Sequence, residues 1–131
     1  MAEGPGGQGM KLRIKGDSLR LRVTPTEMAR LLEAGRIEET VHFGPDEAAR
    51  LTYILEYSDV PAIEVRHAPP QLTVILPTES ARAWANGADV GLYGSVSVAT
   101  GRLEIAIEKD WACLDKKDSG DEDTFPNPKK C

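Results

Sequence analysis

Cysteine and histidine each occur only twice in 131 residues, and aromatic residues make up 5% of the chain. Two cysteines, Cys113 and Cys131, are too few for a disulfide scaffold, so a reducing cytoplasm is the expected compartment. The two isolated histidines, His42 and His67, have no serine or cysteine nucleophile at a recognisable spacing, which gives a catalytic triad no support. Scarce aromatics leave few platforms for stacking sugars or bases. No apolar run approaches the ~20 residues of a membrane span, and the N-terminus lacks the basic-then-apolar layout of a signal peptide. A net charge of −5 and a pI near 5.1 argue against nucleic acid as a partner, since phosphate backbones need a basic face. Gly91 to Gly101 has no phosphate-loop spacing, and no strand shows the Glu-x-Glu-x-Lys pattern of a dedicated metal-triphosphate site. No motif fixes a reaction, a cofactor or a catalytic residue.

What is present is a repeat. Pro25-Thr26-Glu27-Met28-Ala29-Arg30-Leu31-Leu32-Glu33-Ala34-Gly35 returns 52 residues later as Pro77-Thr78-Glu79-Ser80-Ala81-Arg82-Ala83-Trp84-Ala85-Asn86-Gly87, identical at six of eleven positions. At the same offset Leu51, Tyr53, Leu55 and Glu56 match Leu103, Ile105, Ile107 and Glu108. Two copies of one supersecondary unit are expected to bury each other's apolar face in a pseudo-symmetric globule. The length suits one domain, with about two-thirds of the unfolded surface buried.

Each copy has the same internal order. Leu12 and Ile14 alternate with Lys11, Arg13 and Lys15, and after Gly16-Asp17 Leu19, Leu21 and Val23 alternate with Arg20 and Arg22, which predicts a hairpin. Thr24-Pro25-Thr26-Glu27 fits a capping box with Pro at the first helical position; Met28, Leu31 and Leu32 form a stripe, and Gly35 ends the helix. In the second copy Leu76 stands at the place of Thr24, so Thr78 is the expected cap, with Ala81, Trp84 and Ala85 as the stripe and Gly87 as the stop. Two alternating strand segments follow each helix. The fold class is therefore α+β: an internally duplicated strand-strand-helix-strand-strand unit, with about eight strands in a mostly antiparallel sheet or an eight-stranded barrel, and two helices. The boundaries are a flexible extension at 1–9 and a single domain at 10–131. That domain comprises pseudo-repeats 11–57 and 63–109 and an acidic tail at 115–131, in which Phe125, Pro126 and Pro128 anchor the return.

Two places could hold chemistry. Arg13, Lys15, Arg20 and Arg22 share a parity opposite to the apolar set, as do Glu104 and Glu108 in the second copy and Glu38, His42, Glu56, Glu64 and Arg66 elsewhere. If the sheet closes around this face, it becomes a charged tunnel holding a polyphosphate and a divalent metal; if helices cover the apolar face, it is a solvated surface. The second place is the tail. Cys113 and Cys131 are weak metal candidates because they lack Cys-x-x-Cys spacing and neighbouring histidines. The aspartates of 115–123 lack the order of a calcium loop. The partners left open are a small anionic ligand and a second copy of the chain.

Met10-Lys11-Leu12-Arg13-Ile14-Lys15-Gly16-Asp17-Ser18-Leu19-Arg20-Leu21-Arg22 resembles the opening of a family of small uncharacterised bacterial proteins. Glu108-Lys109-Asp110-Trp111-Ala112-Cys113-Leu114-Asp115, Phe125-Pro126-Asn127-Pro128 and Cys131 resemble its end. The resemblance implies a bacterial cytoplasmic origin and a tail that belongs to the domain. The doubled layout is also similar to the triphosphate tunnel (CYTH) superfamily, which implies phosphohydrolase chemistry as the alternative to a non-catalytic binding or assembly module.

Overall fold

A computed structural model describes residues 9–110. The first copy of the unit is β1 (Lys11–Ile14), β2 (Ser18–Val23), α1 (Pro25–Ala34), β3 (Arg36–His42) and β4 (Arg50–Ser58). The second is β5 (Glu64–Ala68), β6 (Gln71–Pro77), α2 (Thr78–Asn86), β7 (Gly91–Val98) and β8 (Gly101–Lys109). The fold is α+β, with the doubled order that the repeat implies. The expectations for residues 1–8 and for the acidic tail, with Cys113, Phe125 and Cys131, lie outside the described residues.

The hairpins pair antiparallel, as their short turns require. The two copies, however, do not build one sheet each. One sheet runs β1-β2-β8-β7 and the other β3-β4-β6-β5. Each helix carries the chain across to the opposite sheet, so every sheet combines one hairpin from each copy. They join through parallel central pairs, β2 with β8 and β4 with β6. Turn signals could not show these pairs, because a short turn constrains only strands adjacent in sequence. All four central strands run toward the end where the helices lie, so the four hairpin turns gather at the other end.

Both sheets turn their apolar parity inward. Leu21, Val23, Ile105 and Ile107 meet Tyr53, Leu55, Val74 and Leu76, with Met28, Leu31, Ala81 and Trp84 of the helices in the same cluster. Burial of one such large side chain contributes about 1.5–3 kcal/mol, so this cluster dominates the stabilisation. The eight-stranded barrel is not formed: no ladder joins edge strands β1 and β7 to β3 and β5. The charged tunnel fails with it. A dry interior selects Leu, Ile and Val over Arg and Glu, whose desolvation is costly, so the polar parity of each sheet faces outward.

The helices show how the two copies have diverged. In α1, Thr24 Oγ1 accepts the Glu27 N–H at 3.2 Å and Glu27 Oε1 accepts the Thr24 N–H at 3.2 Å, closing the expected capping box. Gly35 ends the helix at φ 83° and donates its N–H to Leu31 O at 2.8 Å. In α2 the expected caps fail. Thr78 is already helical, the N-cap is Pro77, and no side chain caps it. The ladders give the reason. Leu21 faces Ile107 as Val74 faces Leu55, so Val23 corresponds to Leu76, Pro25 to Pro77, and Thr24 has no counterpart. Gly87 is extended rather than left-handed, and a Cβ there would lie 2.7 Å from Ala83 O, so it supplies room, not a turn.

Candidate functional site

The outer face of the β1-β2-β8-β7 sheet carries Arg13, Arg20, Arg22, Glu104 and Glu108, with Lys15 in the turn after β1, whereas Glu38, His42, Glu56, Glu64 and Arg66 lie on the other sheet. Cross-strand register sets the former in rows. Arg13 lies beside Arg20, Arg20 beside Ala106, and Ala106 beside Tyr93. In the next row Ser18 lies beside Glu104 and Glu104 beside Ser95. Toward the helical end Arg22 lies beside Glu108.

Charge pairing divides this face. Glu108 Oε1 stands 3.6 Å from the Nε of both Arg20 and Arg22, and Tyr93 Oη donates to Glu108 Oε2 at 2.9 Å. Partial desolvation, then the accepting carboxylate and its charge, hold the Tyr93 phenol above its ordinary value, so it stays a donor at neutral pH. Arg13 and Lys15, by contrast, have no carboxylate partner among the described residues. With Ser18, Arg20, Tyr93, Ser95 and Glu104 they line an open groove of about 600 Å³, floored by Ala106.

On β4 the place corresponding to Ala106 is held by Ile54, between Glu38 and Thr73. Ile54 is 2% exposed and Ile75, near it on β6, 1% exposed. Both have the outward parity of their strands, so the outer face of the second sheet is closed to solvent at this place where that of the first is open. Its charges pair locally, Arg36 with Glu38 at 3.1 Å and Glu56 at 3.7 Å, and Arg66 with Glu64 at 3.2 Å.

Glu104 and Glu108 do not converge on a metal position. They are four residues apart on one strand, a separation of about 13 Å, and Glu108 is committed to two arginines and a tyrosine. Among the described residues no group of three or more His, Cys, Asp or Glu could hold a metal ion. Cys113 and Cys131 lie outside the described residues. Sequence reasoning missed Tyr93, Ser18, Ser95 and Ala106. Strand parity could have placed the first three on this face, but only cross-strand register shows Ala106 between an arginine and a tyrosine.

A second polar cluster is internal. Glu27 is 3% exposed, and burial pushes its carboxyl up to about 7; the charge of Glu39 adds to this, while hydrogen bonds from Thr24 and the charge of Arg30 oppose it. Tyr53, also raised, first by burial and then by Glu39 and Glu27, donates to Met10 O at 2.7 Å. This contact fastens the N-terminal strand of one sheet to the other.

Fold and groove together define a two-sheet α+β protein with one open basic face. Residues 10–129 match a family of unknown function (DUF7009), and the chain belongs to that family. No curated protein and no solved structure matches the chain. The likeness to triphosphate-tunnel proteins has no counterpart in these comparisons. Among the described residues no helix is long and apolar enough to cross a membrane.

Proposed function

We propose that this is a non-catalytic binding module of the bacterial cytoplasm whose groove holds a small polyanion. The observation that carries the reading is the hollow over Ala106, bounded by Arg20 and Tyr93 and open toward Arg13 and Lys15. Two cations without carboxylate partners among the described residues, beside serine and tyrosine hydroxyls, form a donor-rich surface. An inorganic polyphosphate, which offers many acceptor oxygens and several charges, suits it. A chain of net charge −5 keeps such a ligand off the rest of its surface.

One observation favours a second reading. Glu104 lies among these cations with no cationic partner of its own among the described residues. Magnesium is commonly held by one or two carboxylates plus substrate phosphates, so Glu104 with a bound polyphosphate would support a metal-dependent phosphohydrolase.

One experiment separates them. Thermal shift with tripolyphosphate, with and without magnesium, is followed by a phosphate-release assay. The binding reading expects a salt-sensitive rise in melting temperature, lost in Arg13→Ala/Lys15→Ala, and no phosphate release. No rise in wild type sinks both readings. Magnesium-dependent release abolished by Glu104→Gln replaces the first with the second.

A further inference from the structure

The cations of the anion groove occupy one end of it. The groove crosses the strands in the order β1-β2-β8-β7, roughly 14 Å at the usual strand spacing of about 4.8 Å. Its character changes along that line. Arg13, Lys15 and Arg20 stand at the β1 and β2 end, and Glu104 follows on β8, between Ser18 and Ser95. At the far end Tyr93, Gly94 and Ser95 of edge strand β7 form the wall, and these residues also bound a second hollow of about 260 Å³. Pro61, Ile63, Pro77 and Leu92 line that hollow, together with Ser80 of α2. A Cβ at Gly94 would lie 3.1 Å from Ile63 Cδ1, so a side chain there would crowd the apolar hollow. Glycine leaves only backbone at the boundary. Beside it the Tyr93 ring is 60% exposed, while its hydroxyl is tied to Glu108.

Resting on the polyanion reading above, we propose that the two hollows form one site for a nucleoside triphosphate. The phosphates lie toward Arg13, Lys15 and Arg20, the ribose at Glu104, and the base in the apolar hollow beside Tyr93. Glu104 decides the class of ligand. Its carboxylate has no cationic partner among the described residues, and it repels a bare polyphosphate lying along the groove. A ribose instead offers two hydroxyl donors, which a carboxylate accepts, as acidic residues do in dinucleotide sites. Three linked phosphates would also leave the β7 end and the apolar hollow empty. A base fills that hollow and stacks on an aromatic face whatever its identity. The order cation, carboxylate, apolar hollow is thus the order phosphate, sugar, base.

The test is calorimetric titration of the full chain, without magnesium, with tripolyphosphate, ATP and 2′,3′-dideoxy-ATP. ATP should bind roughly tenfold or more tighter than tripolyphosphate, and the dideoxy nucleotide roughly tenfold weaker than ATP. Glu104→Ala should weaken ATP and strengthen tripolyphosphate, a split that general loss of structure does not produce. Ser80→Trp, which fills the apolar hollow from α2, should bring ATP down to the affinity of tripolyphosphate and leave the latter unchanged. Should that variant fail to fold, the dideoxy comparison still decides, because it needs no change in the protein. Tripolyphosphate binding with ATP no tighter overturns the nucleotide proposal and leaves the polyanion reading standing. Binding of neither overturns both. Equal affinity for ATP and its dideoxy form, or an equal loss of ATP and tripolyphosphate in a folded Ser80→Trp protein, also overturns the proposal.

Discussion

Ala106 on β8 occupies the place that Ile54 occupies on β4, and the alanine floors an open groove where the isoleucine is almost wholly buried. Ala106→Ile therefore raises the floor of the groove at a single position. Its affinity for tripolyphosphate should fall at least about tenfold, while melting stays within a few degrees of wild type because the face is solvent-accessible. Retained affinity in a folded Ala106→Ile protein would show that the anion, if bound, lies elsewhere.

Glu27 links stability to pH. The folded chain holds this proton up to about pH 7, whereas a carboxyl with the ordinary value of 4.5 has released it. The contribution is present in full below pH 4.5, declines as pH rises and is gone above about 7; it amounts to at most roughly 3 kcal/mol. Glu27→Gln, which keeps the cap and has no proton to lose, should remove this part of the slope. Melting curves between pH 4.5 and 8 check it: parallel pH profiles for the two proteins contradict the assignment.

The two helix starts make opposite predictions. Thr24→Ala removes a side-chain cap that is itself buried, and should cost about 1–2 kcal/mol. Pro77→Ser adds a hydroxyl where α2 has none, on backbone already extended at ψ 139°, and should stabilise by about 0.5–1 kcal/mol. Urea titrations of both variants measure the pair. A destabilised Pro77→Ser would mean that the proline ring contributes more than the missing cap.

Trp84 has no exposed surface and its Nε1–H donates to Val90 O at 3.2 Å. Trp84→Ala should cost about 3–5 kcal/mol, a large share of a domain stability of about 5–15 kcal/mol. Trp84→Phe, which keeps most of the ring and loses the donor, should cost less. Melting within a degree or two of wild type for the alanine variant would contradict the packing of α2 between the sheets.

Much of the architecture was legible in the chain. Alternation at Leu12/Ile14, Leu19/Leu21/Val23 and Leu103/Ile105/Ile107 marked strands and their inner faces, and Thr24-Pro25-Thr26-Glu27 marked the start of α1. Trp84 was expected in the buried stripe of its helix. The errors came from treating the repeat as having one fixed offset. Thr24 is an extra residue in the first copy, so the second has no cap to find, and neither Thr78 nor Gly87 does what its counterpart suggested.

The sequence by itself determined the doubled unit, the hairpins and the parity of Arg13, Lys15, Arg20, Arg22, Glu104 and Glu108, because all of these depend on local geometry with periods of 2 and 3.6 residues. Tertiary structure decided which hairpins share a sheet, and therefore that Arg20 of the first copy sits beside Ala106 of the second. It decided, too, that the charged parity faces outward, since the apolar parity of both sheets fills the interior between them. The groove is a product of that pairing. It draws its walls from both copies, a juxtaposition set by long-range packing that no local pattern encodes.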